Sequence, residues 1–197
     1  MYLAVVTVTG PQGTSTTEIA LPISAGECGE APGTTPPTYM GISAASVKGK
    51  FFFSPVKMDA VTFKGTIELP AGLDLSKAQT LFVSLGNVLD TANLNTKGQA
   101  SAGQKNRLKK VAVKYPKLKK PATLTNAGQK ATVSFTLSAI RLDTLGFGAE
   151  GVSSPATTLF PIVQAALVLG GTAYRADIPS SWKLSKKGDS GQLTGKN

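Results

Sequence analysis

Ala131-Thr132-Val133-Ser134-Phe135-Thr136-Leu137 decides the fold class. Ala131, Val133, Phe135 and Leu137 fall on one side of an extended chain, and Thr132, Ser134 and Thr136 on the other. Strand side chains point to alternate faces, so this run reads as a strand with one face on a core. Working outward, Val61, Phe63, Ile67 and Leu69 alternate with Thr62, Lys64, Thr66 and Glu68. Gly65 falls in the apolar row and is expected to mark a bulge. Leu81, Val83 and Leu85 alternate with Phe82 and Ser84, and Val111, Val113 and Tyr115 with Ala112 and Lys114. Ala165, Leu167 and Leu169 run into Gly170-Gly171, a strong hairpin signal. Tyr174, Ala176 and Ile178 alternate beyond it, followed by Trp182 and Leu184. Only Leu137 to Leu145 suggests a helical turn. Short strands at this spacing, with no long helix, predict an all-β, immunoglobulin-like or jelly-roll-like β-sandwich.

The front of the chain reads as an N-terminal strand arm. Tyr2 to Thr9 alternates, with Tyr2, Ala4, Val6 and Val8 on one apolar face, until Gly10-Pro11-Gln12-Gly13 breaks it. Ile19, Leu21 and Ile23 form a second row, in which Pro22 argues for an edge. Gly26 to Pro37 is rich in Gly, Pro and Thr and reads as a linker. The expected organisation is an arm and linker at 1–40 and a β-sandwich domain at 41–197.

Composition limits the chemistry. The chain has 197 residues, 41% hydrophobic and 16% charged, a globular balance and long enough to bury a core without disulfides. There is no histidine. That removes the Ser-His-Asp triad, the Cys-His pair and the His general base, and takes from zinc and copper their commonest ligand. No cofactor is expected. The single cysteine, Cys28, allows no intrachain disulfide; it either crosslinks two chains or is buried. No apolar run reaches membrane-spanning length. The first residues lack a basic region and a cleavage site, which suits a protein that is not exported by the general route, or one already matured. Charge is segregated. Residues 1–47 carry Glu18, Glu27 and Glu30 and no Lys or Arg, while residues 91–142 carry eleven basic residues and no acid, within a net charge of +10.

Phe63-Lys64-Gly65-Thr66 leading to Leu69-Pro70-Ala71-Gly72-Leu73-Asp74, Leu81 to Gly86, Leu94 to Ala100, Leu169 to Tyr174 and Lys186 to Gly191 together resemble a β-sandwich repeat of large secreted or surface proteins of environmental bacteria, planctomycetes among them. The resemblance covers about two-thirds of the chain and rests on turn and strand patterns. It implies an extracellular, structural or adhesive role and carries over no catalytic residue.

Four constellations are candidates for function. Lys105, Arg107, Lys109, Lys110, Lys114, Lys117, Lys119 and Lys120 form a basic run suited to a polyanion or acidic partner; the plainer reading is a strand edge guarded by lysine. Nucleic acid is disfavoured, because the run holds one Arg and one aromatic, Tyr115, where specific sites use Arg forks and stacking rings. Tyr2, Ala4, Val6 and Val8 form a candidate subunit interface through strand donation, against the plainer reading of a first strand in the molecule's own sandwich. Asp74, Asp90, Asp143, Glu150, Asp177 and Asp189 read as turn residues, with no calcium-loop spacing and nothing to indicate a glycosidase pair. A Lys–Asn isopeptide crosslink would need a buried Lys. Trp182 with Tyr174 could stack on a sugar, but a core role fits a lone Trp better. Phe51-Phe52-Phe53 puts aromatics on both strand faces and is expected between two sheets or under the arm.

The reading is a non-enzymatic structural protein, a subunit or module of an extracellular or cell-surface assembly, forming a filament through its donated N-terminal strand. Its expected partners are other copies of itself and an anionic glycan or cell surface. A carbohydrate-binding adhesion module and a phage virion structural protein are the alternatives.

Overall fold

Alternation places Val, Ile, Leu and Phe on inward rows and Thr, Ser and Lys on outward ones, and the described residues are mostly β-strand. The fold is all-β. The computed structural model describes residues 2–10, 13–21, 38–70, 72–74, 77–100, 107–115, 128–152 and 158–197. The strands are β1 (Tyr2–Gly10), β2 (Gly13–Leu21), β3 (Met40–Gly41), β4 (Ser43–Phe52), β5 (Met58–Glu68), β6 (Gln79–Leu85), β7 (Val88–Leu94), β8 (Leu108–Lys114), β9 (Lys130–Ile140), β10 (Thr158–Leu159), β11 (Ile162–Leu169), β12 (Thr172–Leu184) and β13 (Ser190–Lys196). The helical turn expected around Leu137 to Leu145 begins later, because β9 runs on to Ile140. A short helix, α1 (Leu142–Leu145), follows, then a 3-10 turn at Phe147–Glu150.

The chain divides into two units, Met1–Thr38 and Tyr39–Asn197. In the first, β1 and β2 pair antiparallel from Tyr2↔Leu21 to Gly10↔Gly13. Register sets Tyr2, Ala4, Val6 and Val8 opposite Leu21, Ile19, Thr17 and Ser15. Pro22, Cys28 and the Gly26 to Pro37 stretch lie outside the described residues.

In the second unit one sheet runs in the order β7-β6-β11-β12-β13-β4-β5-β9-β8, with β3 and β10 also on β12. Every pairing on that path is antiparallel. The long strand β12 pairs with β11 through Thr172–Pro179 and with β13 through Ser180–Leu184, so it belongs to both halves. The sheet is nearly closed into a barrel. At its seam Arg107 N donates to Asp90 Oδ2 (2.8 Å), Val113 N donates to Gly98 O (2.7 Å), and bridges form at Leu94↔Ala100 and Gln99↔Ala112. Gly170-Gly171 makes the β11–β12 turn with both φ positive (57° and 77°), as a two-residue hairpin requires.

The bulge expected at Gly65 is carried by the opposite strand. Ser43 pairs with Thr66 and Ser46 with Lys64, so Ala44 and Ala45 together face Gly65, with Ala44 at φ 48°. Gly65 is small because a Cβ there would lie 2.5 Å from Ile42 and 2.9 Å from Phe63.

One core fills the interior. Trp182, Tyr174, Phe51, Phe63, Phe135 and Phe147 are its largest fully buried side chains. Phe63 and Phe135, directly opposite in β5 and β9, stack at 5.1 Å. The Tyr174 hydroxyl donates to Glu68 O (2.7 Å). The pairings also give the unit two ends. Residue 39 enters at the proximal end, beside β3 and the starts of β4, β9 and β12. The distal end holds the starts of β5, β7, β8, β11 and β13, together with α1 and the 3-10 turn.

Candidate functional site: a lysine face and an apolar rim

The outward rows of β12, β13, β4, β5, β9 and β8 make one face. Register aligns Ser181, Thr194, Lys48, Thr62, Thr136 and Lys109 across it. A neighbouring row aligns Lys183, Gln192 and Lys50; another aligns Lys196, Ser46, Lys64 and Ser134. Lys114 and Lys130 complete the face. All eight lysines, Lys48, Lys50, Lys64, Lys109, Lys114, Lys130, Lys183 and Lys196, are exposed. Six strands at the usual spacing span about 24 Å. Hydroxyls separate the cations, and the Thr62 and Thr136 hydroxyls bond each other across β5 and β9 (3.0 Å). Among the described residues the outward rows of these strands hold two acids, Glu68, opposite Lys130, and Asp177, which pairs with Arg175. The ion pairs among the described residues are Lys77–Asp74, Arg141–Asp143 and Arg175–Asp177, so none of the eight lysines is neutralised in one. Like charges this close raise the potential over the whole face, because at about 0.1 M salt the screening length is about 10 Å.

Of the basic run read in the sequence, Lys109 and Lys114 stand on this face. Arg107 and Lys110 are exposed beside it, Lys110 at φ 52° in a register shift of β8. Lys105, Lys117, Lys119 and Lys120 lie outside the described residues. The structure adds Lys48, Lys50, Lys64, Lys130, Lys183 and Lys196, which the sequence scatters singly. The Phe51-Phe52-Phe53 stretch divides: Phe51 is in the core, Phe52 is half-buried with Lys50 Nζ 4.9 Å and Lys57 Nζ 5.8 Å from its ring centre, and Phe53 packs edge-on to Trp182.

The distal end carries exposed apolar side chains among its charged ones. Val56 and Met58 stand there before and within β5, with Ile140 opposite Met58 and Leu145 in α1. Leu89, Leu159, Phe160 and Ile162 stand on β7, β10 and the approach to β11. These eight are the large apolar side chains exposed among the described residues, and Phe160 is 82% exposed.

The carboxylates serve the fold. Asp59 is fully buried and was not singled out in the sequence, although it shares the inward row of Val61 and Phe63. Its Oδ1 accepts from Phe52 N and its Oδ2 from Leu142 N, both at 2.8 Å. Burial raises its pKa; the two amide bonds oppose that, and the nearby Asp143 charge adds to it. Asp143 is buried and takes a two-pronged bond from Arg141, 2.9 Å on each oxygen. Both oxygens of each buried carboxylate are thus held within the chain. Asp90 accepts from Thr91 N as well as Arg107 N, and Asp189 accepts from the Ser185 and Ser190 hydroxyls. Trp182 and Tyr174 are fully buried, so no sugar can stack on them. No lysine among the described residues is buried, as an isopeptide crosslink would require. Nor, among them, do three or more His, Cys, Asp or Glu gather as a metal site, and no helix is long and apolar enough to cross a membrane.

Glu150 has a measurable consequence. Burial, and secondarily the Asp177 charge, raises its pKa to about 7, against weak bonds from Gln164 N (3.3 and 3.4 Å). The folded pKa lies above the unfolded one, so the folded chain holds this proton more tightly. The resulting stability is complete below about pH 4.5 and is lost as pH rises through about 7. After allowance for solvent screening this amounts to about 1–3 kcal/mol. Glu150→Gln should leave the urea midpoint nearly unchanged at pH 4.5 and raise stability by about 1–2 kcal/mol at pH 8. An equal effect at both pH values would exclude titration of Glu150 as the cause.

Comparison of the chain with protein-family models, curated proteins and solved structures finds no match.

Proposed function

We propose that this is a non-enzymatic structural module that lies with its lysine face against an anionic glycan on a cell surface. The observation that carries the proposal is the set of eight exposed lysines drawn from six strands with no ion-pair partner among the described residues. Such a face costs self-repulsion when bare and is relieved by a polyanion. The interleaved Thr and Ser hydroxyls suit sugar hydroxyls. The face holds no Arg fork, and its one aromatic, Phe52, lies near two lysine ammonium groups, which favours a glycan over nucleic acid. The resemblance to secreted bacterial repeats supports an extracellular place. The near-closed sheet fits a β-sandwich of immunoglobulin-like or jelly-roll-like type whose halves share β12, with the N-terminal hairpin as its arm.

The full chain should be retained on a sulfated polysaccharide at low salt and released as salt nears molar. Changing Lys48, Lys64 and Lys109 together to Gln should weaken binding by roughly 30-fold, at about 1 kcal/mol or somewhat less per lysine near an anionic surface. Equal retention of this variant would sink the proposal, and tighter binding to duplex DNA than to the polysaccharide would redirect it.

A second reading, self-assembly through the N-terminal strand, is favoured by the hairpin's separate unit and by the apolar alternation of Tyr2, Ala4, Val6 and Val8 in its sequence. A two-stranded hairpin is marginal by itself in water and gains by covering residues of this kind.

A further inference from the structure

Register places each lysine of the face on a grid of strands and rows. No strand and no row holds more than two of the eight. Strand β4 carries Lys48 and Lys50, and β8 carries Lys109 and Lys114. The rows bring together Lys183 and Lys50, Lys48 and Lys109, and Lys196 and Lys64. One oblique line holds four. It starts at Lys183 on β12 and passes two strands over and one row along to Lys48 on β4. Lys64 on β5 lies one strand and one row further, and Lys114 on β8 two strands and one row beyond that. With strands about 4.8 Å apart and same-face rows about 6.7 Å apart, the steps are about 12, 8 and 12 Å and the line is about 31 Å long. We infer that this line is the seat of one linear, flexible, polyanionic glycan chain laid obliquely across the six strands; this rests on the glycan reading above.

Three features favour a linear chain over a compact anion or a flat anionic surface. First, the cations are strung out. A lone sulfate or phosphate group would meet neighbouring lysines and leave the rest of the line uncompensated, whereas linked anions can meet all four. Second, the line is clear of acids. Between its lysines it crosses Thr194 on β13 and Ser134 on β9, so every strand offers it a cation or a hydroxyl. Glu68 stands off the line beside Lys130. The opposite diagonal, from Lys109 past Lys196, runs towards Asp177, four residues before Ser181 on β12. Third, the face is curved. Neighbouring strands twist by about 20–25°, and the sheet is nearly closed into a barrel, so its outer side bends away across six strands. A flat lipid surface touches only part of such a face at a time, while a flexible chain follows the bend.

The test titrates the full-length protein with heparin oligosaccharides of graded length at one low salt concentration. Affinity should rise with chain length, because each further anion binds as a tethered group, and should level once the oligosaccharide spans the line. Lys48→Gln with Lys64→Gln should weaken binding of the longest oligosaccharide about tenfold. Lys109→Gln with Lys130→Gln, an equal loss of charge off the line, should weaken it less than about threefold. All four side chains are exposed, so both variants should keep the melting temperature. Equal losses for the two pairs would mean that the face acts through its net charge alone; the line would then be overturned and the glycan reading would stand. Affinity already level at the shortest oligosaccharide would also overturn the line. Tighter binding to vesicles of anionic phospholipid than to any oligosaccharide would give the face to a flat surface instead. If no oligosaccharide binds at low salt, the glycan reading itself fails and the line with it.

Discussion

Replacing Asp59 by alanine is expected to cost about 3–5 kcal/mol of folding stability, the loss of a buried hydrogen-bonded charge that two amides depend on. Phe52 N, at the end of β4, and Leu142 N, at the start of α1, are both tied to this one carboxylate. Its removal strands one buried donor, Leu142 N, and one part-buried donor, Phe52 N, and each costs about 1–3 kcal/mol when no water replaces the partner. Asp59→Asn should recover part of the loss, because one amide oxygen can still accept while its NH2 faces a second donor. Urea unfolding at pH 7 measures both. A loss under 1 kcal/mol for the alanine variant would mean that the amides find other acceptors and that Asp59 does not hold α1 to the sheet.

Trp182→Ala is expected to cost a similar amount, about 3–5 kcal/mol. The indole is fully buried, edge-on to Phe51 at 5.3 Å and to Phe53 at 6.1 Å. It lies on Gly191, whose missing side chain makes the space for it; a methyl there would fall inside the ring. Gly191→Ala should therefore destabilise too, by about 1–3 kcal/mol through overpacking. Neither change should alter the affinity of the folded fraction for the polysaccharide, because the lysine face lies on the other side of these strands. If Trp182→Ala abolished glycan binding while leaving the melting temperature intact, the ring would have to be reachable from solvent.

The strands were legible because their alternation is clean. Every apolar residue of the Ala131 to Leu137 row is buried, and Gly170-Gly171 turns where its dipeptide says it should. Pairing was less legible, since alternation tells which face a residue takes but not which strand lies beside it. The lysine face shows the difference. Lys48 and Thr194 are opposite each other although 146 positions apart, so only Lys109 and Lys114 of the face were visible as part of a run. Asp59 carried a signal that parity would have revealed: two residues before Val61, it had to point inward. The rim had none, because Met58, Ile140 and Phe160 become neighbours in kind only when strand direction is known.

The placement of β13 bears on how the chain comes to be folded. Strand β4 is among the first of the body to be made, yet one of its two partners, β13, lies at Ser190–Lys196. The backbone of Ala45 also exchanges bonds with Asn197 (3.0 and 2.7 Å). A contact that spans nearly the whole body closes a large loop, and its entropy must be met before the contact rewards it. While the chain grows on a ribosome, β4 therefore has one open edge, and the Trp182 ring has no Gly191 to lie on. Folding of this body waits on synthesis of its last strand, and during that interval the nascent chain exposes a hydrophobic edge of the kind that chaperones bind.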